Sequence, residues 1–193
     1  NYTIASGHTS GDLDYSSTSA LALNSGTIKD AAGNAATLTL ASPGATNSLG
    51  ANKAIVIDGV IPTISSVSLA SDNSTFAVTF SEAVYNTNGG SGSLEASDFA
   101  FSISGGTATL SSATPSSISA SGNVYTLGIA LSGTPNGSET LTVNPVDDSI
   151  YDAAGNEASA SQSNNTKTLN DKTVPTISSV SLASDNSTLA VTF

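Results

Sequence analysis

One stretch of this chain is written twice. Residues 61–80 read IPTISSVSLASDNSTFAVTF and residues 174–193 read VPTISSVSLASDNSTLAVTF, differing only at Ile61/Val174 and Phe76/Leu189, so 18 of 20 positions match. Solenoid repeats recur every ~20–50 residues, whereas the separation of Ile61 from Val174 is that of a whole domain. Near-identity at such a distance indicates a recent tandem duplication. It divides the chain into three pieces: residues 1–60 as the back half of one domain, 61–173 as a complete domain, and 174–193 as the first two strands of a third.

A second element, DAAGN, occurs at Asp30–Asn34 and Asp152–Asn156. Its two copies are spaced more widely than the copies of the long repeat, because the segment from DAAGN to the next PTIS is longer at 35–60 than at 157–173. The pentapeptide sits between short runs of alternating apolar residues. In the complete domain, Thr63–Leu69 opens the series. Ser71-Asp72-Asn73 makes a turn through side chains that bond their own backbone. Phe76, Val78 and Phe80 then alternate with small residues. Asn88–Gly92 reads as a loop. Phe99, Phe101 and Ile103 alternate, as do Tyr125, Leu127, Ile129 and Leu131, then Leu141 and Val143. Asn136-Gly137 between the last two runs predicts a hairpin turn. About seven short strands separated by turn signals fit an all-β antiparallel sandwich, with no helix periodicity anywhere. Residues 1–60 keep the same grammar at Tyr2/Ile4, Leu21/Leu23, Leu38/Leu40 and Ile55/Ile57, but are too short to close a sandwich.

Composition narrows the function. The chain has no Cys, so packing, hydrogen bonds or metal must stabilise it. Four Lys, no Arg and 15 acidic residues give a net charge of −11. That argues against nucleic acid and anionic membranes and suits the collection of divalent cations. No run of apolar residues is long enough for a transmembrane helix.

The residues also carry a family likeness. PTISSVSLASDNSTFAVTFSEAVY followed by a late DAAGN resembles the bacterial immunoglobulin-like domains repeated in very large surface proteins and adhesins. YTIASGHTSGDLDYSSTSALALNSGTIKDAAGNAATLTL followed by SLGANKAIVIDG is similar to the back half of a sister repeat type. The resemblance implies tandem immunoglobulin-like β-sandwiches, a secreted or bacterial cell-surface location, and calcium held near domain junctions. The role it implies is a structural stalk or fibre, whose partners are neighbouring repeats or identical chains.

Calcium takes six to eight oxygens from carboxylates, amides and carbonyls. In DAAGN the Asp and Asn lie four residues apart around a Gly that can take positive φ. Asp30, Asn34, Asp152 and Asn156 are therefore candidate ligands, with linker residues Asp58 and Asp171 as companions if the turn and exit linker share a pole. Glu82, in FSEAV at a strand end, is a further candidate. The competing reading is that DAAGN is only a turn. Asp12 and Asp14 share a strand face and either chelate or solvate. Catalysis finds little support: His8 sits alone in a Ser/Gly-rich loop, and Asp147 and Asp148 point to opposite faces of a strand. The sequons at Asn1, Asn73, Asn164 and Asn186 are expected by chance in this composition. Two alternatives remain. One is a carbohydrate- or surface-binding module, for which Tyr85 and Tyr151 are the candidate exposed rings. The other is head-to-tail assembly, in which residues 174–193 of one chain complete residues 1–60 of the next.

Overall fold

A computed structural model describes residues 3–193; the Asn1 sequon and Tyr2 lie outside them. The chain divides into two units, Asn1–Ile61 and Pro62–Phe193.

The first unit carries β1 (Thr9–Ser10), a four-residue helix α1 (Leu49–Asn52) and β2 (Ile57–Asp58). β1 and β2 pair antiparallel, Thr9 opposite Asp58 and Ser10 opposite Ile57. The strands expected around Leu21/Leu23 and Leu38/Leu40 do not form. Alternation makes a strand only where a second layer covers its apolar face. Here Ile4, Leu21, Leu23 and Ile28 stay exposed, and among the described residues of this unit Ile57 is the single buried large hydrophobic. α1, which no sequence period foretells, is a capped turn: Ser48 is fully buried and its Oγ accepts from the Ala51 amide at 3.1 Å.

The second unit contains β3 (Ile64–Leu69), β4 (Thr75–Phe80), β5 (Phe99–Ser104), β6 (Thr109–Leu110), β7 (Ile118–Ser121), β8 (Val124–Gly128), β9 (Leu131–Ser132), β10 (Thr140–Pro145), β11 (Thr166–Thr168), β12 (Ser179–Leu182) and β13 (Leu189–Thr192). One sheet runs β3-β4-β8-β7 and another β11-β10-β5, all neighbours antiparallel. Counting only these seven strands in chain order, the sheets read 1-2-5-4 and 7-6-3. That is the strand order of the seven-strand immunoglobulin constant-type sandwich. A two-residue ladder, β6 with β9, forms beside them.

Alternation along each strand supplies the core. Phe76, Val78 and Phe80 of β4 and Leu127 of β8 face Phe99 and Phe101 of β5 and Leu141 and Val143 of β10, all of them buried. Phe76 meets Phe101 edge-on with centroids 5.9 Å apart; Phe99 lies 6.3 Å from Phe80 and 6.1 Å from Tyr125. Such aromatic pairs contribute roughly 0.5–1.5 kcal/mol beyond their buried area.

The Asn136-Gly137 turn differs from expectation. β8 and β10 belong to different sheets, so the segment between them is a crossover loop and not a hairpin. The sequence signal for a tight turn is local, and pairing is decided by which sheet the following strand joins.

The duplicated stretch makes the same turn and the same register twice, over a shorter ladder in the second copy. Leu69 pairs with Phe76 and Val67 with Val78; in the second copy Leu182 pairs with Leu189 and Val180 with Val191. Both turns place an Asn in the left-handed region, Asn73 at φ 63 and Asn186 at φ 58. Burial is what separates the two copies. Phe76 and Val78 are fully buried, whereas Leu189 is 63% and Phe193 74% exposed. The hairpin is specified by the duplicated stretch alone, but its burial requires β8 and the opposing sheet. Truncating Phe76 to Ala should therefore cost about 3–5 kcal/mol in urea unfolding. Leu189→Ala, at the equivalent position of the second copy, should change stability by less than about 0.5 kcal/mol.

Candidate functional site

The DAAGN pentapeptide closes on itself. In the second copy Asp152 Oδ1 accepts from the amides of Ala154 and Asn156, both at 2.8 Å, and Oδ2 accepts from Asn156 Nδ2 at 2.8 Å. The Asp152 amide donates to the Asn156 carbonyl at 3.0 Å. Gly155 takes φ +92, a conformation that L side chains rarely adopt. The first copy repeats every one of these bonds: Asp30 Oδ1 accepts from Ala32 and Asn34 at 2.9 Å, and Oδ2 from Asn34 Nδ2 at 2.8 Å. Gly33 has φ +90. The correspondence extends outward, since Ala36 donates to Ile28 as Ala158 donates to Ile150. The turn thus forms in the same way whether its Asp is exposed, like Asp30, or buried, like Asp152. Asn34, by side chain and amide, holds the Asp30 carboxyl below the usual carboxylate range.

Within the second unit, the turn following β10 is drawn onto the end of β4. Tyr85 and Tyr151 exchange backbone hydrogen bonds at 2.7 and 2.8 Å. Nearby, Glu82 and Asp152 each offer a carboxylate oxygen, and the two atoms lie within 4.8 Å of each other. Ser81, the residue before Glu82, donates to the Thr63 carbonyl at 2.8 Å. The chain therefore enters this sandwich at the pole where Glu82 and the DAAGN turn sit. The loop after Tyr85 also lies against the turn: a Cβ on Gly90 would meet Ala153 Cα at 3.0 Å.

Asp171 is at the other pole. Leu169 donates to the carbonyl of Glu139, just before β10, and Lys172 to the carbonyl of Pro135, whereas Asp152 follows the far end of β10. The shared pole expected for Asp152, Asn156 and Asp171 is thus not formed; the DAAGN turn lies with the incoming linker and not with the exit. The cause is strand parity, because β11 runs antiparallel to β10 and carries the chain back across the sandwich before it leaves. The Thr173 hydroxyl and amide, donating to Asp171 Oδ1 at 2.5 and 2.7 Å, lower the Asp171 carboxyl below its usual range. In the first unit Asp58 Oδ1 accepts from the Val60 amide at 3.0 Å.

The remaining candidates are engaged in loop geometry. Asp14 accepts from the amides of Tyr15 and Gly44 at 2.9 and 3.0 Å, and Asp12 from that of Ile55 at 3.4 Å, so this acidic pair ties loops of the first unit together. His8 Nδ1 accepts from the Ala5 amide at 3.3 Å. Asp148 has φ +57 and receives a bond from the Tyr151 hydroxyl at 3.4 Å. Burial first, then the neighbouring Asp148 and Glu157 charges, raise the Tyr151 phenol. Tyr85 and Tyr151 are half-buried, and the Asn73 sequon is closed off at 4% exposure.

Sequence reasoning passed over two polar anchors. Glu139, fully buried, accepts from the amides of Thr107 at 2.8 Å, Ala108 at 2.9 Å, and Asn136 and Gly137 at 3.1 Å. Burial alone would raise its carboxyl; the Ala108, Thr107 and Asn136 amides outweigh that and bring it to about 2. Its only sequence signal is a lone Glu after an Asn-Gly turn. Asn73 donates to the Asn170 carbonyl at 2.8 Å and accepts from the Asn170 amide at 2.9 Å, clamping the β3–β4 turn to the outgoing chain.

No family model matches the chain, and no curated protein does. Among solved structures it is similar to the crystal structure of the N-terminal part of the bacterial S-layer protein SbsC, at 24% identity and a TM-score of 0.40, over 63% of this chain and 26% of that one. The chain spans about a quarter of that structure's length, and a likeness of this size settles neither fold nor role. No helix among the described residues is long and apolar enough to cross a membrane.

Two outcomes follow from the polar anchors. Asp152→Ala should destabilise by about 1–3 kcal/mol, since it removes the acceptor of three hydrogen bonds at a buried position, and Asp30→Ala by clearly less. Because the folded-state Glu139 carboxyl lies below its unfolded value of 4.5, its stabilisation is complete above that value and is lost as pH falls from it toward about 2. Urea midpoints measured across this window should fall for the parent chain and fall less steeply for Glu139→Gln.

Proposed function

We propose that this chain is a length of an extracellular tandem array of immunoglobulin-like sandwiches, a stalk or fibre on a bacterial surface. The observation that carries this reading is the hairpin made twice in one register, β3–β4 and β12–β13, with a complete sandwich between the copies. In such an array the exposed face of Leu189, Val191 and Phe193 is covered by later strands of the next repeat, as β8 and the opposing sheet cover Phe76 and Val78. The role is mechanical and spatial, and no catalytic role is proposed.

Calcium would stiffen each junction. Supporting this is the Glu82–Asp152 carboxylate pair at the pole the chain enters. Asp58, a linker carboxylate, is the companion ligand that the sequence suggests. Asp171 stands in the next linker as Asp58 does in this one, each four positions before the Pro of a PTIS segment, and would serve the repeat that follows. With a net charge of −11, bound cations would also relieve repulsion along the array.

A second reading uses the same exposed hairpin face differently, as the strand pair that completes residues 1–60 of another chain. Light scattering separates the two: the array reading predicts a monomer, the exchange reading a mass that grows with concentration.

Stretching single chains by their ends tests the array. One unfolding step should release about 370–400 Å of contour, the length of residues 62–173 at about 3.3–3.6 Å each; a featureless extension would contradict the reading. Chelation tests the metal. At calcium concentrations about 100-fold above the dissociation constant, removing the ion should lower the melting temperature by about 10 °C. Glu82→Gln should abolish that difference, and an identical melting temperature with and without chelator excludes the junction ion.

A further inference from the structure

The chain contains two Asn-Gly dipeptides, Asn88-Gly89 and Asn136-Gly137, and the structure treats them in opposite ways. We propose that Asn88 is a site of spontaneous, water-driven deamidation in the folded protein, and that Asn136 is protected by the Glu139 carboxylate.

The chemistry needs no enzyme. The Gly amide nitrogen, losing its proton to hydroxide, attacks the Asn Cγ. The new N–C bond forms as the Nδ2 amine leaves as ammonia, protonated by water. The resulting succinimide is opened by water at either carbonyl, giving aspartate or isoaspartate, so the net change is water in and ammonia out. The nucleophile must be a backbone N–H able to turn toward its neighbour's side chain, and glycine allows this because it has no Cβ.

At Asn136 both reacting groups are held. The Gly137 amide donates to Glu139 Oε2 at 3.1 Å, and the Asn136 Oδ1 accepts from the Ser138 amide at 3.0 Å. The Asn136 amide is also bonded to Glu139, and the residue is half-buried. Reaction there requires breaking the set of bonds around a fully buried carboxylate. At Asn88 and Gly89 both residues are exposed, and among the described residues the Gly89 amide donates to no backbone or side-chain acceptor. Gly89 and Gly90 have φ +103 and +75, in a loop closed by the Thr87–Ser91 bridge.

The location gives the reaction a consequence. A Cβ on Gly155 would collide with Asn88 Oδ1, so the Asn88 side chain rests on the DAAGN turn. Deamidation places a new negative charge on that turn, beside the Glu82–Asp152 pair.

The test is peptide mapping by mass spectrometry after prolonged incubation of the chain in mildly alkaline buffer, once folded and once in urea. In urea both Asn-Gly sites should convert at similar rates. In the folded chain Asn88 should convert at a rate near its urea rate, while Asn136 stays largely intact. Comparable folded-state rates at the two sites, or an Asn88 that converts only in urea, would overturn the proposal. A second arm uses Glu139→Gln: if folded, it should accelerate conversion of Asn136 and leave Asn88 unchanged, and acceleration at both sites counts against selective protection. The folded-versus-urea comparison on the parent chain decides the matter even if that variant does not fold.

Discussion

The second unit depends on a contact between layers. Phe76 and Phe80 on one sheet meet Phe101 and Phe99 on the other, and Tyr125 closes the group. A hairpin alone offers one apolar face, which is worth little until a second sheet meets it. The chain shows both states. With the opposing sheet, β3 and β4 become half of a core; without it, β12 and β13 pair in the same register and leave Leu189 and Phe193 in water. The first unit shows the same rule in weaker form, where alternation without a covering layer yields loops.

Polar groups do the local shaping. The DAAGN turn is complete within five residues, so it recurs unchanged in two surroundings. Glu139 and Asn73 act at longer range, gathering amides from Thr107 to Gly137 in one case and fastening the first hairpin to Asn170 in the other. These anchors lie at the pole the chain leaves, and the carboxylate pair lies at the pole it enters.

What could be read from the residues was what the residues decide among themselves. Phe76/Val78/Phe80 and Phe99/Phe101 alternate with period 2, and their strands lie where that period puts them. The positive φ of Gly155 and the bonding of Asp152 follow from the turn's own sequence. The illegible parts were those fixed by distant partners. β11, Thr166–Thr168, is wholly polar and exposed, and is a strand only because β10 lies beside it. Asn136-Gly137 carries a hairpin signature, but the next strand joins the other sheet. Asp171 resembles Asp58 in the linker, yet its distance from Asp152 depends on how many times the chain crosses the sandwich between them.

The central claim is that the duplicated hairpin is a module whose protection comes from the rest of its repeat. Native-state hydrogen exchange measures this within one sample, because the fragments STFAVTF and STLAVTF differ in mass. The account predicts that amides of residues 76–80 exchange only through global unfolding, while those of 189–193 exchange orders of magnitude faster. Equal protection of the two copies would contradict it.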